Sequence, residues 1–248
     1  MTDTPQLTDK VAIVTGGSSG IGLAIAAAFQ AWGASVMIGA RDEARGERAI
    51  QDLSMGTDRV CGAALDVRDP RQVEDFITQT IKHFGGLDIL INNAGVGGYT
   101  KIVDQSLEEW RSIIDTNLSG VFHCCRSAIP HLRRRGGGFI VNISSLAGKN
   151  AFPMGGAYCS SKAALNMFSE VLMQEVRYDD IRVSYVMPGS VTTAFDGGRA
   201  HAGSEWKMTA EDVAEVVLDI VSINRRTLAS RVETVSYTHL TLPTILLV

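Results

Sequence analysis

Tyr158 and Lys162, four residues apart, are the side chains in this sequence best suited to moving a proton at neutral pH. On a helix, residues i and i+4 share one face, with Cβ atoms about 5–6 Å apart. A free phenol has a pKa near ~10 and is a poor base at pH 7, but a nearby ammonium favours the phenolate. The spacing therefore predicts that Lys162 favours the phenolate form of Tyr158, so that the tyrosine can act in acid–base catalysis. An ordinary pair on a helix surface is the alternative.

A glycine-rich turn lies between the first predicted strand and the first predicted helix. Glycines let a backbone turn tightly and approach a pyrophosphate, and the free N–H groups at the start of a helix attract an anion. Although a simple tight turn has the same composition, the position between a strand and a helix favours a dinucleotide site. The residues predicted to contact the cofactor in this turn are Gly16, Ser18, Ser19, Gly20, Ile21 and Gly22.

These two motifs, together with Asn-Asn-Ala-Gly at residues 92–95, resemble the short-chain dehydrogenase/reductase family over residues 8 to about 233. The glycine spacing is Thr-Gly-x3-Gly-x-Gly rather than the G-x-G-x-x-G of other dinucleotide-binding folds. The resemblance implies an oxidoreductase that transfers hydride between a nicotinamide cofactor and a carbonyl or secondary alcohol substrate. In that reaction Tyr158 exchanges the proton and Lys162 supports it.

Two further catalytic residues, Ser145 and Asn117, follow from the resemblance. Ser145 lies thirteen residues before Tyr158 and would hydrogen-bond the substrate oxygen, while its neighbour Ser144 would face the other side of the strand. Asn117 lies inside a predicted helix, where its amide competes for backbone hydrogen bonds. In the family this asparagine marks a water-bridged helix distortion that connects the lysine to solvent; a plain surface asparagine is the alternative.

The resemblance also implies which residues contact the rest of the cofactor. Asp66 and Val67, at the end of the third predicted strand, correspond to the adenine contact, although a carboxylate at a strand end is commonly just solvated. The other implied contacts are Asn93, Ala94 and Gly95 on the adenosine ribose side, Tyr158 and Lys162 at the ribose hydroxyls, and Pro188, Gly189, Val191 and Thr193 around the nicotinamide carboxamide.

The end of the second predicted strand indicates NADP(H) rather than NAD(H). Members that prefer NAD place an acidic residue there for the adenosine 2′-hydroxyl, but this sequence has Ala40. The next residue is Arg41, whose guanidinium can bind a 2′-phosphate through two hydrogen bonds. The negative charge of Asp42 would weaken the preference for NADP(H), and Ser19 stands where some NADP-binding members have a basic residue. The alternative interpretation of Arg41 is a solvated charge at the start of a helix.

Short apolar runs alternate with longer amphipathic stretches along the chain, which predicts an α/β fold. We expect a Rossmann-like, doubly wound parallel β-sheet of about seven strands with helices on both faces, in a single domain at residues 1–234. The predicted strands are 11–15, 35–40, 60–66, 89–92, 139–143, 183–187 and a seventh that starts near residue 230. The predicted helices are 21–32, 42–53, 70–84, 107–134, 157–178 and 210–222.

Composition excludes several other classes of protein. The net charge of -4 provides no basic field for nucleic acid. No apolar run approaches the roughly 18 residues of a membrane span, and the first residues contain no apolar core of a secretion signal, so we expect a cytoplasmic protein that does not bind a membrane. No pair of the four cysteines has metal-knuckle spacing, and no metal site is predicted.

The substrate is left open by the sequence. The resemblance extends to 3-oxoacyl-thioester reductases acting on acyl-carrier-protein or CoA substrates and to broad ketone reductases or alcohol dehydrogenases, with a non-catalytic NADP-sensing protein as the rival class. Residues 133–135, three arginines, could dock an acyl carrier protein, but a helix C-terminus attracts cations in any case. The likeness implies a homotetramer or homodimer formed through helices 107–134 and 157–178, and a lid at 193–208.

Residues 235–248 resemble no family C-terminus. The string resembles the in-frame translation of a transposase adapter used to prepare DNA sequencing libraries, so we expect a non-native tail. A natural strand-forming end is the alternative, because Val, Tyr, Thr and Leu suit a strand.

Overall fold

Seven parallel strands form the central sheet of the protein. The computed structural model describes residues 7–54, 57–193, 195, 206–224 and 226–237. The strands are β1 (Val11–Thr15), β2 (Ser35–Ala40), β3 (Val60–Ala64), β4 (Ile89–Asn92), β5 (Gly138–Ile143), β6 (Ile181–Pro188) and β7 (Arg231–Thr234). They pair in the order β3-β2-β1-β4-β5-β6-β7, so the direction of strand succession reverses between β1 and β4. Such a reversal opens a crevice at the carboxyl ends of the two strands.

Helices cover both faces of this sheet, as expected for a doubly wound fold. They are α1 (Gly20–Ala31), α2 (Glu43–Ser54), α3 (Pro70–Phe84), α4 (Leu107–Ile114), α5 (Gly120–Arg134), α6 (Gly156–Val176) and α7 (Ala210–Ser222). One apolar core includes residues of α1 and α7, and a second includes residues of α3, α5 and α6. The prediction of a Rossmann-like parallel sheet of seven strands is therefore confirmed.

The central strands β1 and β4 read as nearly continuous apolar runs because they are buried on both faces. In β1, Ala12 and Val14 belong to the core beside α1 and α7, whereas Ile13 belongs to the core on the opposite face. All three side chains are at most 1% exposed. A strand that faces solvent on one side would instead alternate between apolar and polar residues.

The starts of three helices agree with the capping signals in the sequence. The Asp69 carboxylate accepts from two backbone N–H groups of the first turn of α3, and Ser106 accepts from the N–H of Glu109 in α4. Thr209 and Asp212 form a reciprocal capping box at α7. Each such cap is worth about 1 kcal/mol, which fixes where these helices begin.

The structure departs from several predicted bounds; β6 is longer at both ends than the predicted 183–187, and α6 ends at Val176 rather than at residue 178. The predicted helix 107–134 is interrupted by a π-helical segment, Asp115–Ser119, and β3 ends at Ala64 rather than at residue 66. Only residues 193, 195 and 206–208 of the predicted lid, and 235–237 of the predicted tail, are among those described. Within the described ranges, no helix combines the length and the apolar character that crossing a bilayer requires.

Asp88 joins three elements at the amino ends of the strands. Its carboxylate accepts from the backbone N–H of Val11 at 3.0 Å and from Lys10 Nζ at 3.2 Å. Arg135, just after α5, donates to the same carboxylate at 3.2 and 3.3 Å. The side chain of Asp88 is only 7% exposed, so these contacts compensate for burying its charge.

We expect Asp88→Ala to lower the free energy of unfolding by about 1–3 kcal/mol, because the buried N–H of Val11 loses its acceptor. Asp179→Ala is the matched control, since Asp179 is also paired with an arginine of the α5 end, Arg133, but at the surface. Its loss should cost less than about 1 kcal/mol. Urea unfolding of the three proteins measures both values, and equal costs would contradict a structural role for Asp88.

Candidate active site

A cleft of about 1280 Å³ opens at the carboxyl ends of the strands, where the strand order reverses. The loops that follow β1, β2, β4, β5 and β6 all contribute to its walls. This is where an open α/β sheet places its ligand, because the loops on either side of the reversal diverge. Within the described residues, no group of three or more His, Cys, Asp and Glu side chains is placed to hold a metal ion.

The glycine turn after β1 forms one end of the cleft. Gly16 and Gly20 have φ values of +64° and +53°, a left-handed conformation that favours glycine. Gly22 is required for packing, since a Cβ there would lie 2.4 Å from the Gly16 carbonyl oxygen. The predicted residues Gly16, Ser18, Ser19, Gly20 and Ile21 line the cleft, and Gly22 supports the turn from behind.

Asn93 holds this turn in place. Its side-chain amide donates to the carbonyl oxygens of Thr15 and Gly16 at 3.0 and 3.1 Å. In return, the hydroxyl of Thr15 accepts from the backbone N–H groups of Asn93 and Ala94, both at 3.0 Å. Asn93, Ala94 and Gly95, the predicted contacts on the adenosine ribose side, all line the cleft. The Asn93 side chain, however, is used to join the loops after β1 and β4.

Near the ends of β2 and β3, the cleft is lined by Arg41 and by Val67, two of the predicted contacts. Asp66 does not line the cleft, and its carboxylate is paired with Arg68 through both oxygens. Hydrogen bonds from Arg68 hold the pKa of Asp66 below its usual range. The predicted adenine contact through Asp66 is untested by this geometry and stays a prediction.

Arg45 is a second basic residue at this end of the cleft, and the sequence analysis missed it. It lines the cleft together with Arg41 and Asp42. The Asp42 carboxylate accepts from the backbone N–H of Arg45 at 3.0 Å. The guanidinium of Arg45 lies 3.8 Å from the same carboxylate. The i,i+3 spacing at the start of α2 was the available signal. Arg45 therefore partly neutralises the carboxylate that would repel a phosphate beside Arg41.

Lys162 is buried beneath Tyr158 on the first turns of α6. Its ammonium is 5.9 Å from the centroid of the Tyr158 ring and donates to the backbone carbonyl of Ile143 at 2.8 Å. Only 5% of the residue is exposed. Burial lowers the pKa of Lys162 to about 8, so that at pH 7 the side chain is still mainly protonated. A cation is thus held next to the phenol, as the i,i+4 spacing predicted.

Ser144 and Ser145, adjacent at the end of β5, have different surroundings. The Ser144 hydroxyl is buried and donates to the side-chain oxygen of Asn166 at 2.5 Å. Both serines line the cleft, but the Ser145 oxygen accepts from the N–H of Ala147 at 3.1 Å. Because Ser145 accepts there, its O–H remains able to donate to a ligand. This geometry favours Ser145 over Ser144 as the residue that orients a substrate.

Asn117 lies in the π-helical segment and is fully buried. Its amide accepts from the backbone N–H of Val96 at 2.8 Å and donates to the Val96 carbonyl at 2.9 Å. It also donates to the Ser161 hydroxyl at 3.0 Å. These bonds explain why a helix tolerates an asparagine here, since the polar groups of its side chain bond to the backbone of Val96, which is 21 residues away in the sequence. The helix distortion implied by the resemblance is present, and the proton relay stays a prediction.

The loop after β6 closes the other side of the cleft. The backbone N–H of Gly189 donates to the Thr234 carbonyl at 2.8 Å, which ties the loop to β7. Val191 forms a bridge with Met208, so both ends of the intervening stretch are joined. The predicted contacts Pro188, Gly189, Val191 and Thr193 all line the cleft.

Aromatic side chains that were not predicted from the sequence form part of the cleft wall near Tyr158. Tyr99 follows β4, Phe152 follows β5, and Phe195 follows β6. All three line the cleft, and so does Trp206. Their positions show no periodicity because they come from loops, so only the folded chain brings them together.

The arginines at residues 133–135 lie far from this site. They follow or end α5, at the amino ends of the strands, whereas the cleft is at the carboxyl ends. Arg133 pairs with Asp179, and Arg135 pairs with Asp88. The suggestion that they dock an acyl carrier protein beside the cleft is therefore not supported by the geometry.

Three comparisons relate the chain to known proteins. A family model described as short chain dehydrogenase matches residues 10–202. An uncharacterized oxidoreductase of Staphylococcus epidermidis is 32% identical over 213 residues, covering 86% of this chain and 91% of that protein. A 3-oxoacyl-[acyl-carrier-protein] reductase of Chlamydia muridarum is 36% identical over 226 residues, covering 87% and 91%.

A solved structure has the same fold at similar identity. An alcohol dehydrogenase from the archaeon Thermococcus sibiricus, complexed with 5-hydroxy-NADP, superposes with a TM-score of 0.85 at 30% identity. The match covers 92% of this chain and 97% of the archaeal one. With the family model spanning most of the chain and the motifs gathered in one cleft, the protein belongs to the short-chain dehydrogenase family.

Proposed function

We propose that this protein is an NADP(H)-dependent oxidoreductase that interconverts a carbonyl compound and a secondary alcohol. The observation that carries the proposal is the placement of Ser145, Tyr158 and buried Lys162 at one wall of a single cleft. Arg41 lines the same cleft near the end of β2. The intact constellation also argues against a protein that only senses NADP.

The cleft fits a nicotinamide dinucleotide. Gly16 and Gly20 in its glycine turn carry no side chain, so the backbone can approach a pyrophosphate at the start of α1. Thr116 lines the cleft. Its hydroxyl is buried and has no hydrogen-bond partner among the described residues. Arg41 and Arg45 suit the extra phosphate of NADP, and two similar solved structures are complexes with NADP or 5-hydroxy-NADP.

Each residue of the site has a separate role in the proposed reaction. Ser145 donates a hydrogen bond to the substrate oxygen, which positions the carbonyl and stabilises charge that develops there. Tyr158 gives its phenolic proton to that oxygen in reduction and takes it back in oxidation. Lys162 stabilises the resulting phenolate, and Asn117 holds the loop and helix that carry them. NADPH, when bound, supplies the hydride.

The relatives suggest two substrate classes. Reduction of a 3-oxoacyl thioester is supported by the Chlamydia muridarum reductase, and action on ketones and alcohols by the archaeal alcohol dehydrogenase. We also propose a homotetramer or homodimer formed through α4, α5 and α6. Exposed apolar side chains on these helices support that assembly, among them Trp110, Phe122, Met167 and Val171.

Tyr158→Phe should reduce kcat with NADPH and a ketone by roughly 10²–10⁴-fold, because the proton donor is lost. NADPH affinity should change by no more than a few-fold, since the ring remains. Tyr178→Phe is the matched control, because Tyr178 is 93% exposed and does not line the cleft. Steady-state rates and fluorescence titration test both points; near-normal turnover by Tyr158→Phe would reject the assignment.

Ser145→Ala should impair turnover severely, with a loss on the order of 10²–10³ for one oxyanion-type donor. Ser144→Ala should keep most activity but melt at a lower temperature, because it leaves Asn166 without its buried hydroxyl partner. Rates and thermal unfolding of both variants are compared with the parent protein. If Ser144→Ala is the more damaging to kcat, the wrong serine has been assigned.

Arg41→Ala should weaken NADPH binding by roughly ten- to a hundredfold and leave NADH binding nearly unchanged, because only NADPH has the 2′-phosphate. Arg48→Ala removes the same charge from α2 at a position that does not line the cleft. It should affect neither cofactor. Fluorescence titration with both cofactors measures the preference, and equal affinities in the parent protein would overturn the choice of NADP(H).

A further inference from the structure

Two contacting pairs of aromatic rings line the cleft around the reacting position. The rings of Tyr99 and Phe152 have centroids 5.9 Å apart at an angle of 34°, and they join the loops after β4 and β5. The rings of Tyr158 and Phe195 are also 5.9 Å apart, at 53°, and join α6 to the segment after β6. Ser145 lies on the wall of the same cleft. A substrate held by Ser145 and Tyr158 therefore has aromatic neighbours from three loops.

Two glycines set the positions of these rings. A Cβ at Gly97 would lie 2.7 Å from the Phe195 ring, and one at Gly155 would lie 2.5 Å from the Phe152 ring. Each ring thus rests against backbone that carries no side chain. The rings are held before a substrate arrives, which lowers the entropy that binding must overcome.

The rings still expose apolar surface to the cleft. Tyr99 is 48% exposed and Phe195 is 46% exposed, although both line a concave site. Removing such surface from water is favourable, and aromatic faces prefer other flat rings in offset or tilted contact. The chemistry of this wall suits a flat apolar group.

Charge is concentrated at other parts of the cleft. The charged side chains among the described cleft residues are Arg41, Asp42, Arg45, Lys162 and Lys207. The first three belong to the end near β2 and Lys162 lies beside Tyr158, so that Lys207, which follows Trp206, is the remaining charge. Around Ser145 the wall continues as the apolar Leu146, Ala147 and Ala151, with Asn150 as a neutral polar member. An anionic group beside the reacting carbon would lose hydration there with few charged partners.

We propose that the substrate is a neutral ketone with an aromatic ring next to the reacting carbon, or the corresponding secondary alcohol. The ring packs among Tyr99, Phe152 and Phe195 while the oxygen lies between Ser145 and Tyr158. In reduction the carbonyl carbon gains hydride, with two electrons, from NADPH, which becomes NADP⁺. The oxygen gains the proton of Tyr158, which is restored from solvent. This inference rests on the proposed function and narrows its substrate.

The test compares matched carbonyl compounds by NADPH consumption. The parent protein should have a kcat/KM for 1-phenylethanone at least ~tenfold above those for butan-2-one, for cyclohexyl methyl ketone and for acetoacetyl-CoA, in the range that apolar pockets achieve. Phenylglyoxylate, which places a carboxylate beside the carbonyl, should also be poorer by at least ~tenfold. If acetoacetyl-CoA or phenylglyoxylate is the best substrate, the inference is overturned while the proposed function stands.

A substitution then assigns the preference to the wall. Phe152→Ala should lower kcat/KM for 1-phenylethanone by at least ~tenfold, mainly through KM, and that for butan-2-one by less than about threefold. Phe152→Leu, which keeps apolar volume but removes the ring, should fall between. Met154→Ala is the control, because Met154 is an exposed apolar residue of the same loop that does not line the cleft.

Separate readouts distinguish the possible failures. NADPH titration of each variant shows whether the cleft is still folded, independently of turnover. Equal losses for both ketones in a Phe152→Ala protein that binds NADPH normally would overturn the aromatic contact. A parent protein that binds NADPH but reduces none of the carbonyl compounds would reject the proposed function and this inference together.

Discussion

Hydrogen bonds between the loops after β1 and β4 are the constraint on which the site depends. Thr15 and Asn93 bind each other through backbone and side-chain groups, and Asn93 also holds the carbonyl of Gly16. The same loop continues to Val96, whose backbone binds both ends of the Asn117 amide. Asn117 then binds Ser161, whose hydroxyl donates to the Tyr158 carbonyl at 2.7 Å. One connected network thus runs from the glycine turn to the tyrosine.

The buried ammonium of Lys162 depends on that scaffold. Burying a cation is costly unless polar groups compensate it, and here the carbonyl of Ile143 at the end of β5 does so. The cost appears as a pKa lowered to about 8. Because a single carbonyl is its hydrogen-bond acceptor among the described contacts, its field would remain available to a phenolate at Tyr158 in the proposed reaction.

Much of the fold, and the residues that line the candidate site, could be predicted from the sequence, because both depend on local signals. β1 and α3 were predicted at their observed bounds by apolar runs and a cap, and Tyr158 and Lys162 by helical spacing. The sequence did not predict where the π-helical segment at Asn117 begins and ends, because the residue that stabilises it, Val96, is distant in sequence. The aromatic wall was missed for a related reason, since loop side chains converge only after folding, whereas Arg45 had a local signal in its i,i+3 spacing to Asp42.

The ion pairs of Asp88 and the cleft lie at opposite ends of the strands. That separation divides the molecule into a part that resists unfolding and a part that selects a ligand. Positions in the carboxyl-end loops that lie outside the Thr15–Asn93–Asn117 network can therefore be randomised in directed evolution while the amino ends preserve the folded state. A library confined to the segments around Tyr99 and Phe152 would sample new specificities with little loss of soluble variants, because neither segment contributes to the contacts of Asp88.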